Sequence, residues 1–209
     1  MMTQRLFFTH DHLNAELEVL GCTPSDNQFA VVLQSTIFHP QGGGQPSDTG
    51  WLGESQVLKV VQEGDHVVHY VDRPVALGTI QARVDEERRP LHTRLHSAGH
   101  LIGNAGETLG WMPIKAHHWP GEGKITFIRG TSAQAMDAQA IQQRVDQWIA
   151  ANLPRHMTLD DGTREVGFGD LPAYACGGTH VQALGDVGQV TILALSEKKG
   201  ALSVRYSLD

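Results

Sequence analysis

Apolar and polar positions alternate over short stretches in the first part of the chain. The stretches QFAVVLQSTIF (28–38) and VLKVVQEGDHVVHYV (57–71) are rich in β-branched residues, and Gly, Pro, Asp and Asn interrupt the sequence around them. This pattern is typical of β-strands joined by tight turns. Between them lies HPQGGGQPSDTGW (39–51), whose consecutive glycines let the backbone adopt positive φ angles. We therefore expect a small β-barrel or a curled sheet over residues 1–85.

Helical periodicity begins near residue 86. From about Pro90 to Leu109 the apolar residues recur every three to four positions, which predicts a helix with its proline in the first turn. The segment SAQAMDAQAIQQRVDQWIAANL (132–153) predicts a second, amphipathic helix. Thr131 or Ser132 is the expected N-cap of this second helix, because a side-chain hydroxyl can accept a hydrogen bond from the first helical turn.

Strand patterns return between and after the two helices. The stretch KITFIRG (124–130) predicts a strand, and residues 188–209 predict a closing β-hairpin. The expected fold class is therefore α+β. An N-terminal, small β-barrel-like domain (1–85) would be followed by an α/β domain (86–209), whose helices pack on a mainly antiparallel sheet.

The composition narrows the class of protein. The chain of 209 residues has 16 Lys and Arg against 23 Asp and Glu, a formal charge of −7. An acidic balance argues against nonspecific coating of nucleic acid, although a local basic face remains possible. Two cysteines give no disulfide framework, and no apolar run is long enough to span a membrane. We expect a cytoplasmic protein with reduced thiols and no membrane partner.

Five residues suggest a metal site. His92, His96 and His100 recur every four positions on the predicted helix, which aligns their side chains on one face. In ACGGTHV, Cys176 stands four positions before His180, and the two intervening glycines let the chain bend. Zinc binds imidazole nitrogen and thiolate sulfur, usually with four ligands. The spacing alone allows either the first two or the last two histidines of the helix.

Neighbouring residues favour the second pair. His100 is followed by two apolar residues and is expected to face the interior, whereas His92 has polar neighbours. We therefore predict that Zn²⁺ is bound by His96, His100, Cys176 and His180. His92 would either support a ligand or be exposed. An alternative is that Cys176 is a nucleophile activated by a neighbouring histidine.

Three motifs then resemble the freestanding alanyl-tRNA editing proteins of the AlaX family. These proteins are similar to the editing domain of alanyl-tRNA synthetase and, more distantly, to that of threonyl-tRNA synthetase. FHPQGGGQPSDTGWL (38–52) resembles their glycine-rich loop, and ARVDEERRPLHTRLHSAGHLI (82–102) resembles their entry helix with its HxxxHL motif. CGGTHV and GDVGQVTI, both within residues 176–192, resemble the second metal motif and the strand after it. The HxxxHL motif falls on His96 and His100.

The resemblance implies an enzyme that edits in trans. It would hydrolyse tRNA(Ala) mischarged with serine, and in some cases glycine, and release the free amino acid. Four protein ligands would fill the coordination of Zn²⁺, and HExxH is absent, which leaves room for water activation by a ribose hydroxyl of the substrate. Two other classes stay open: a non-catalytic, zinc-stabilised tRNA-binding module and a hydrolase of another small acyl ester.

Selectivity and tRNA binding require further residues. An editor must spare alanine, so we expect a polar group that binds the serine hydroxyl. The candidates are Gln45, Thr126 or the metal itself. His117, His118 and Trp119 could stack on the terminal adenosine, although a core position is the alternative for Trp119. The expected tRNA contacts are Arg88, Arg94, Lys115, Lys124, Lys198 and Lys199. The oligomeric state and the order of preference between serine and glycine stay open.

Overall fold

A computed structural model of the chain describes residues 2–209. The chain divides into two compact units. The first runs to Gly42 and resumes over Pro46–Pro90, and the second comprises Gly43–Gln45 and Leu91–Asp209. Two α-helices and mostly antiparallel strands make up the described chain, which confirms the predicted α+β class. The domain division between residues 85 and 86 stays a prediction.

The first unit is built from strands. In chain order they are β1 (Gln4–Arg5), β2 (Asn14–Ser25), β3 (Gln28–Leu33), β4 (Ser35–Thr36), β5 (Gly50–Leu52), β6 (Ser55–Glu63), β7 (His66–Val71) and β8 (Gly78–Val84). Six of them close a barrel in the order β2-β3-β7-β6-β5-β8, in which each listed pair is antiparallel. The short strands β1 and β4 pair in parallel outside the barrel.

The alternation of the sequence decides which side chains fill the barrel. Leu17 and Val19 on β2 are buried, as are Val31 and Leu33 on β3. Successive side chains of a strand point to opposite faces, so residues two apart share the interior. The barrel core therefore follows directly from the apolar positions that predict its strands.

The first helix, α1 (Arg88–Thr108), carries the histidine motif into the second unit. The carboxylate of Asp85 accepts hydrogen bonds from the backbone N–H groups of Glu87 and Arg88, both at 3.0 Å. Such bonds satisfy donors that have no partner within the helix. Pro90 lies in the first turn, as its sequence position predicts.

The rest of the second unit consists of seven strands and one helix. In chain order they are β9 (Trp111–His117), β10 (Lys124–Arg129), α2 (Ala138–Ala150), β11 (Arg155–Asp160), β12 (Thr163–Phe168), β13 (Tyr174–Ala175), β14 (Val190–Lys198) and β15 (Ala201–Leu208). Four strands form an antiparallel sheet in the order β14-β15-β10-β9, and β11, β12 and β13 form a second sheet. Short 3-10 turns cover Leu6–Phe8 in the first unit and Leu184–Val187 in the second.

The predicted start of α2 is wrong by about one and a half turns. Its N-cap is Asp137, whose carboxylate accepts a hydrogen bond from the backbone N–H of Ala140 at 2.7 Å, and not Thr131 or Ser132. Residues 132–136, which precede this cap, are not helical. Within them, the backbone N–H of Gln134 donates a hydrogen bond to the backbone oxygen of Leu109. These tertiary hydrogen bonds replace the helical bonds that the apolar pattern predicts for residues 132–137.

The second unit has its own apolar core, in which α1 packs against β10. The core residues that α1 contributes recur every three to four positions, as the sequence predicts. On β10, Ile125 and Phe127, two positions apart, both point into this core. The buried residues of α1 are Leu95, Ala98, Leu101, Ile102 and Ala105. This packing fixes the face of α1 that bears His96 and His100. Neither described helix is long and apolar enough to cross a membrane.

Candidate metal centre and its pocket

The structure brings together the four residues that the sequence predicts as metal ligands. His96 and His100 lie one turn apart on α1, and Cys176 and His180 lie on the loop after β13. One donor atom from each of the four lies within 4.8 Å of all the others. The three histidines are buried, and the cysteine is half-buried. This set, called the ligand group below, could hold a metal ion.

The distances suit a small tetrahedral site. Sγ of Cys176 lies 3.4 Å from Nε2 of His96 and 3.2 Å from Nε2 of His180. Ligands bound at the bond lengths of a tetrahedral zinc site are roughly 3.3–3.8 Å apart. A thiolate with three imidazoles is also a donor set that soft and borderline transition metals prefer over Mg²⁺ or Ca²⁺. The donor chemistry and the spacing therefore agree.

A buried glutamine orients His96. Oε1 of Gln45 lies 2.7 Å from Nδ1 of His96 and also accepts a hydrogen bond from the backbone N–H of Thr179 at 3.0 Å. The amide nitrogen of Gln45 donates to Oγ1 of Thr179 at 2.9 Å. Since a carbonyl oxygen only accepts, the hydrogen of His96 is on Nδ1 and the lone pair on Nε2 faces the ligand group. The amide oxygen and the amide nitrogen of Gln45, a candidate for binding the serine hydroxyl, therefore both have hydrogen-bond partners within the protein.

A serine orients His180 in the same way. The hydroxyl of Ser97 donates to the backbone oxygen of Thr93 at 3.0 Å, so its oxygen accepts from Nδ1 of His180 at 3.1 Å. This leaves Nε2 of His180 free of its hydrogen and directed at the ligand group. Sequence analysis missed Ser97, because its partner His180 is far away in the sequence and neighbouring helix residues do not share a face.

The loop that carries Cys176 is held by a buried arginine. Arg164 donates to the backbone oxygens of Cys176 and Gly178, at 2.9 and 2.8 Å. A Cβ at position 178 would lie 2.1 Å from Cε1 of His96, so only glycine lets the loop approach the helix this closely. Sequence analysis also missed Arg164, because a single arginine within a strand pattern carries no signal of this role.

Burial keeps His100, His180 and Cys176 in their uncharged forms. Loss of solvent lowers the pKa of His100 to about 3 and lowers the pKa of His180 well below its usual value. The same burial raises the pKa of the Cys176 thiol. Neutral imidazoles are the form that binds a metal, and the thiol releases its proton on binding. The shifts oppose a preformed thiolate–imidazolium pair, which a cysteine nucleophile would require.

His96, His100 and Cys176 of the ligand group line a pocket of about 290 Å³ in the second unit. Its apolar wall includes Pro113 and Ile114 of β9 and Ile125 of β10. Thr126, the second candidate for binding the serine hydroxyl, is not among the lining residues of the described chain. Its hydroxyl lies 3.3 Å from that of Ser203 on the neighbouring strand.

Three cations lie close to the pocket. Lys115 lines it, and Lys115, Lys124 and Arg205 share an adjoining cleft with Glu122. Residues 115, 124 and 205 are exposed and lie on the paired strands β9, β10 and β15. They are called the basic patch below. Two of the three, Lys115 and Lys124, are among the predicted tRNA contacts.

The other predicted tRNA contacts lie elsewhere. Lys198 and Lys199 are exposed at the turn between β14 and β15, and Arg88 is exposed at the first residue of α1. Nε of Arg94 donates to the backbone oxygen of Val187 at 2.8 Å, which gives this side chain a structural partner.

The remaining residues that the sequence singled out, Trp119, His92 and His118, differ in burial. Trp119 is 36% exposed and stacks on His117 with ring centroids 5.7 Å apart, so the core alternative for the tryptophan is wrong. His92 is buried, which excludes the exposed alternative, and it is not part of the ligand group. His118 is also buried and lines the pocket, and loss of solvent lowers its pKa to about 3.

Comparison with known proteins gives this geometry a context. The family profile described as the threonyl and alanyl tRNA synthetase second additional domain matches residues 163–205, which include Cys176 and His180. The mouse protein named alanyl-tRNA editing protein Aarsd1 is 30% identical over 87% of the chain, and the rat protein of that name is 31% identical over 87%. Over most of its length the chain is similar to these alanyl-tRNA editing proteins.

The similarity extends to a synthetase. The alanine–tRNA ligase of Methanothermobacter thermautotrophicus is 29% identical over 91% of the chain. The chain spans 52% of the mouse and rat editing proteins and 24% of this ligase. The resemblance to alanyl-tRNA editing proteins that the motifs indicate is confirmed. The matched profile covers the part of the second unit that carries the cysteine motif.

Proposed function

We propose that the protein is a zinc-dependent deacylase that edits mischarged tRNA(Ala) in trans. One observation carries the proposal: in a chain similar to alanyl-tRNA editing proteins, three imidazoles and a thiol converge, and three of these four residues line a pocket. The substrate would be the ester of serine, and of glycine to some extent, with the terminal ribose of tRNA(Ala). The cytoplasm is the expected location, since aminoacylated tRNA is used there.

The proposed reaction is the hydrolysis of an ester. The oxygen of a water molecule adds to the acyl carbon, the bond from that carbon to the ribose oxygen breaks, and the ribose oxygen takes the proton. No carboxylate side chain lines the pocket in the described chain. We therefore infer that a hydroxyl of the substrate ribose relays the proton. A bound Zn²⁺ would supply positive charge for orienting the ester or stabilising the developing oxyanion.

The protein would contribute a fixed site of limited size. Gln45 and Ser97 hold His96 and His180 with Nε2 directed at the ligand group, so the site is oriented before substrate arrives. A pocket of about 290 Å³ suits a small aminoacyl group. Its apolar wall, formed by Pro113, Ile114 and Ile125, limits access of bulk water to the ester.

The basic patch would receive the acceptor end of the tRNA. The patch consists of three exposed residues beside the pocket, Lys115, Lys124 and Arg205. With the ester bound in the pocket, the phosphates nearest the terminal adenosine would lie against these positive charges. The half-buried His117 and the exposed Trp119 stack on each other and offer an aromatic face for an unpaired base. The net charge of −7 makes such a local patch important for binding.

The direct experiment uses tRNA(Ala) charged separately with serine, glycine and alanine. Release of each amino acid is followed with the purified, metal-loaded protein, with Cys176→Ala, and with Cys22→Ala as the matched control. Cys22 is the other cysteine of the chain and lies on β2 of the barrel. We expect rapid release of serine, little release of alanine, and loss of activity in Cys176→Ala but not in Cys22→Ala.

Two results would contradict the proposal. Stable Ser-tRNA(Ala) in the presence of folded, metal-loaded protein would favour a non-catalytic tRNA-binding module. Hydrolysis of small acyl esters that is as fast without tRNA as with it would favour a general esterase. Zinc content alone does not separate these outcomes, so turnover is the measurement that decides.

A further inference from the structure

His118 occupies the wall of the pocket next to the ligand group. It directly follows β9, is 1% exposed, and its ring stacks on that of His96 with centroids 4.3 Å apart at an angle of 24°. It is not one of the four residues whose donor atoms converge. The ring is therefore a separate polar element of the pocket.

A glycine on α1 makes room for this ring. Gly99 also lines the pocket, and a Cβ at this position would lie 2.2 Å from Cε1 and 2.5 Å from Nδ1 of His118. Real Cβ atoms do not approach a ring so closely, so a larger residue would displace it. Gly99 and His118 thus form a matched pair that seats an imidazole in the wall.

Hydrogen bonds fix the tautomer of His118. The hydroxyl of Tyr206 donates its one hydrogen to the backbone oxygen of Leu95 at 3.0 Å. Its oxygen lies 2.7 Å from Nδ1 of His118 and must therefore accept the hydrogen of that nitrogen. In the neutral ring the lone pair is then on Nε2, and no residue in 2–209 donates a hydrogen bond to it.

The other polar side chains of the pocket have different tasks. Three belong to the ligand group, the hydroxyl of Tyr174 donates to Glu107 at 2.6 Å, and Lys115 is an exposed cation. Outside the ligand group, two uncharged acceptors line the pocket in the described chain: the uncommitted ring nitrogen of His118 and the phenol oxygen of Tyr174. An imidazole nitrogen is the stronger hydrogen-bond acceptor of the two. An uncommitted acceptor in a pocket wall is suited to a hydroxyl of a ligand.

We propose that Nε2 of His118 accepts a hydrogen bond from the side-chain hydroxyl of the aminoacyl group and so selects serine over alanine and glycine. This inference rests on the proposed editing function and adds the residue that determines its specificity. Size alone separates serine from alanine weakly, whereas a buried group that requires a hydroxyl partner separates them strongly. It also reassigns the task for which the sequence suggested Gln45 and Thr126.

The test compares two substrates that differ at the hydroxyl. Deacylation of Ser-tRNA(Ala) and Gly-tRNA(Ala) is measured for the wild type, His118→Phe and His118→Gln. His118→Phe keeps a planar ring against His96 and removes the acceptor, so kcat/KM for serine should fall about 10- to 100-fold while that for glycine changes little. His118→Gln restores an acceptor oxygen near the position of Nε2 and should recover part of the serine activity.

Two further variants exclude a merely structural role. His117→Phe makes the same change at the adjacent, half-buried histidine and should affect both substrates equally. Gly99→Ala displaces the His118 ring from the helix side and should reproduce the selective loss of serine activity. Zinc content of each variant is measured in parallel and should equal that of the wild type.

Binding gives a readout that is independent of turnover. Non-hydrolysable 3′-amide analogues of seryl-, glycyl- and alanyl-adenosine are titrated by calorimetry. The wild type should prefer the seryl analogue, and His118→Phe should lose this preference. Equal losses for the three analogues, or for the serine and glycine substrates, would overturn the role of His118 and leave the editing function intact. A His118-dependent preference without hydrolysis would overturn the deacylase proposal and leave the specificity assignment standing.

Discussion

Each unit contains a cluster of buried polar side chains, and the two clusters differ in whether the protein itself supplies their partners. In the first unit, Asp48 accepts hydrogen bonds from Nε of Arg89 at 2.9 Å and from the backbone N–H of His39 at 2.6 Å. A second nitrogen of Arg89 binds the same carboxylate and donates to the backbone oxygen of Ile37 at 2.6 Å. In the second unit, the ligand group directs nitrogen and sulfur donor atoms at one another.

The difference separates a structural cluster from a functional one. Opposite charges and hydrogen bonds satisfy Asp48 and Arg89 within the protein, so this pair needs no ligand. The ring-nitrogen lone pairs of the ligand group converge around the single S–H hydrogen of Cys176, and a metal ion satisfies such a set. Burial alone therefore does not identify a site, whereas convergent acceptors that outnumber their hydrogen-bond donors do.

The largest expected effect comes from breaking the satisfied pair. Asp48→Ala leaves the guanidinium of Arg89 buried without its counter-charge, and we expect the free energy of unfolding to fall by about 3–5 kcal/mol. Urea unfolding of the metal-loaded protein measures the change. Arg73→Ala is the control, because Arg73 pairs with Asp72 on the surface, where such bonds contribute about 0–1 kcal/mol. Equal effects of the two variants would contradict the structural assignment.

Removing a metal ligand from the ligand group should have the opposite effect: a small change in stability and a large loss of Zn²⁺ affinity. Cys176→Ala relieves the crowding of donor atoms, so stability without metal should change little, while Zn²⁺ affinity should fall by more than about 100-fold. The two quantities are measured by unfolding in the presence of chelator and by competition with a chromophoric chelator. Cys22→Ala, at the half-buried cysteine of the barrel, should leave the affinity unchanged. An unaltered affinity in Cys176→Ala would exclude the cysteine as a ligand.

Gln45 tests whether ligand orientation matters as much as ligand identity. Gln45→Ala removes the acceptor that holds Nδ1 of His96, and loss of such an outer partner typically lowers metal affinity by about 10- to 100-fold. The chelator competition used for Cys176→Ala measures it. Gln41→Ala, at an exposed glutamine four positions earlier, is the matched control. If the two variants bind zinc equally well, the Gln45 contact is structural only.

The fold was predictable where local patterns decide it. Alternation over 57–71 corresponds to the hairpin of β6 and β7, and the periodicity of 90–109 corresponds to α1 with a shift of two residues at its start. The start of α2 was not predictable, because the backbone N–H of Gln134 donates to Leu109, which is far away in the sequence. Such tertiary competition leaves no trace in local periodicity.

The site was predictable to the extent that its chemistry lies in short motifs. The spacing of His96 and His100 on one helix, and of Cys176 and His180 around two glycines, identified donors that do converge. Arg164 and the partner of His118, Tyr206, act through contacts across the fold, and neither has a motif. Gln45 was singled out as a candidate for binding the serine hydroxyl, and sequence cannot show that both ends of its amide have hydrogen-bond partners within the protein.

The last expected effect concerns His69, a buried histidine of the barrel that needs no metal. Its Nε2 lies 2.8 Å from the hydroxyl of Thr36, and its Nδ1 lies 3.3 Å from the backbone oxygen of Val31. Burial lowers the pKa of His69 to about 4, against about 6.5 in the unfolded chain. Between these values the unfolded chain binds one more proton, so stability is complete above pH 6.5 and is lost as the pH falls toward 4.

Each pH unit within this window should cost the barrel about 1.4 kcal/mol through His69. His69→Gln keeps an amide that can hydrogen-bond but does not titrate, so the stability of the barrel should depend less steeply on pH by one proton. Hydrogen exchange of the β7 amides between pH 7 and 5 measures the slope. Identical slopes in the variant and the wild type would mean that His69 opens to solvent before the barrel unfolds. In that case even a histidine with both nitrogens engaged would not be a purely structural group.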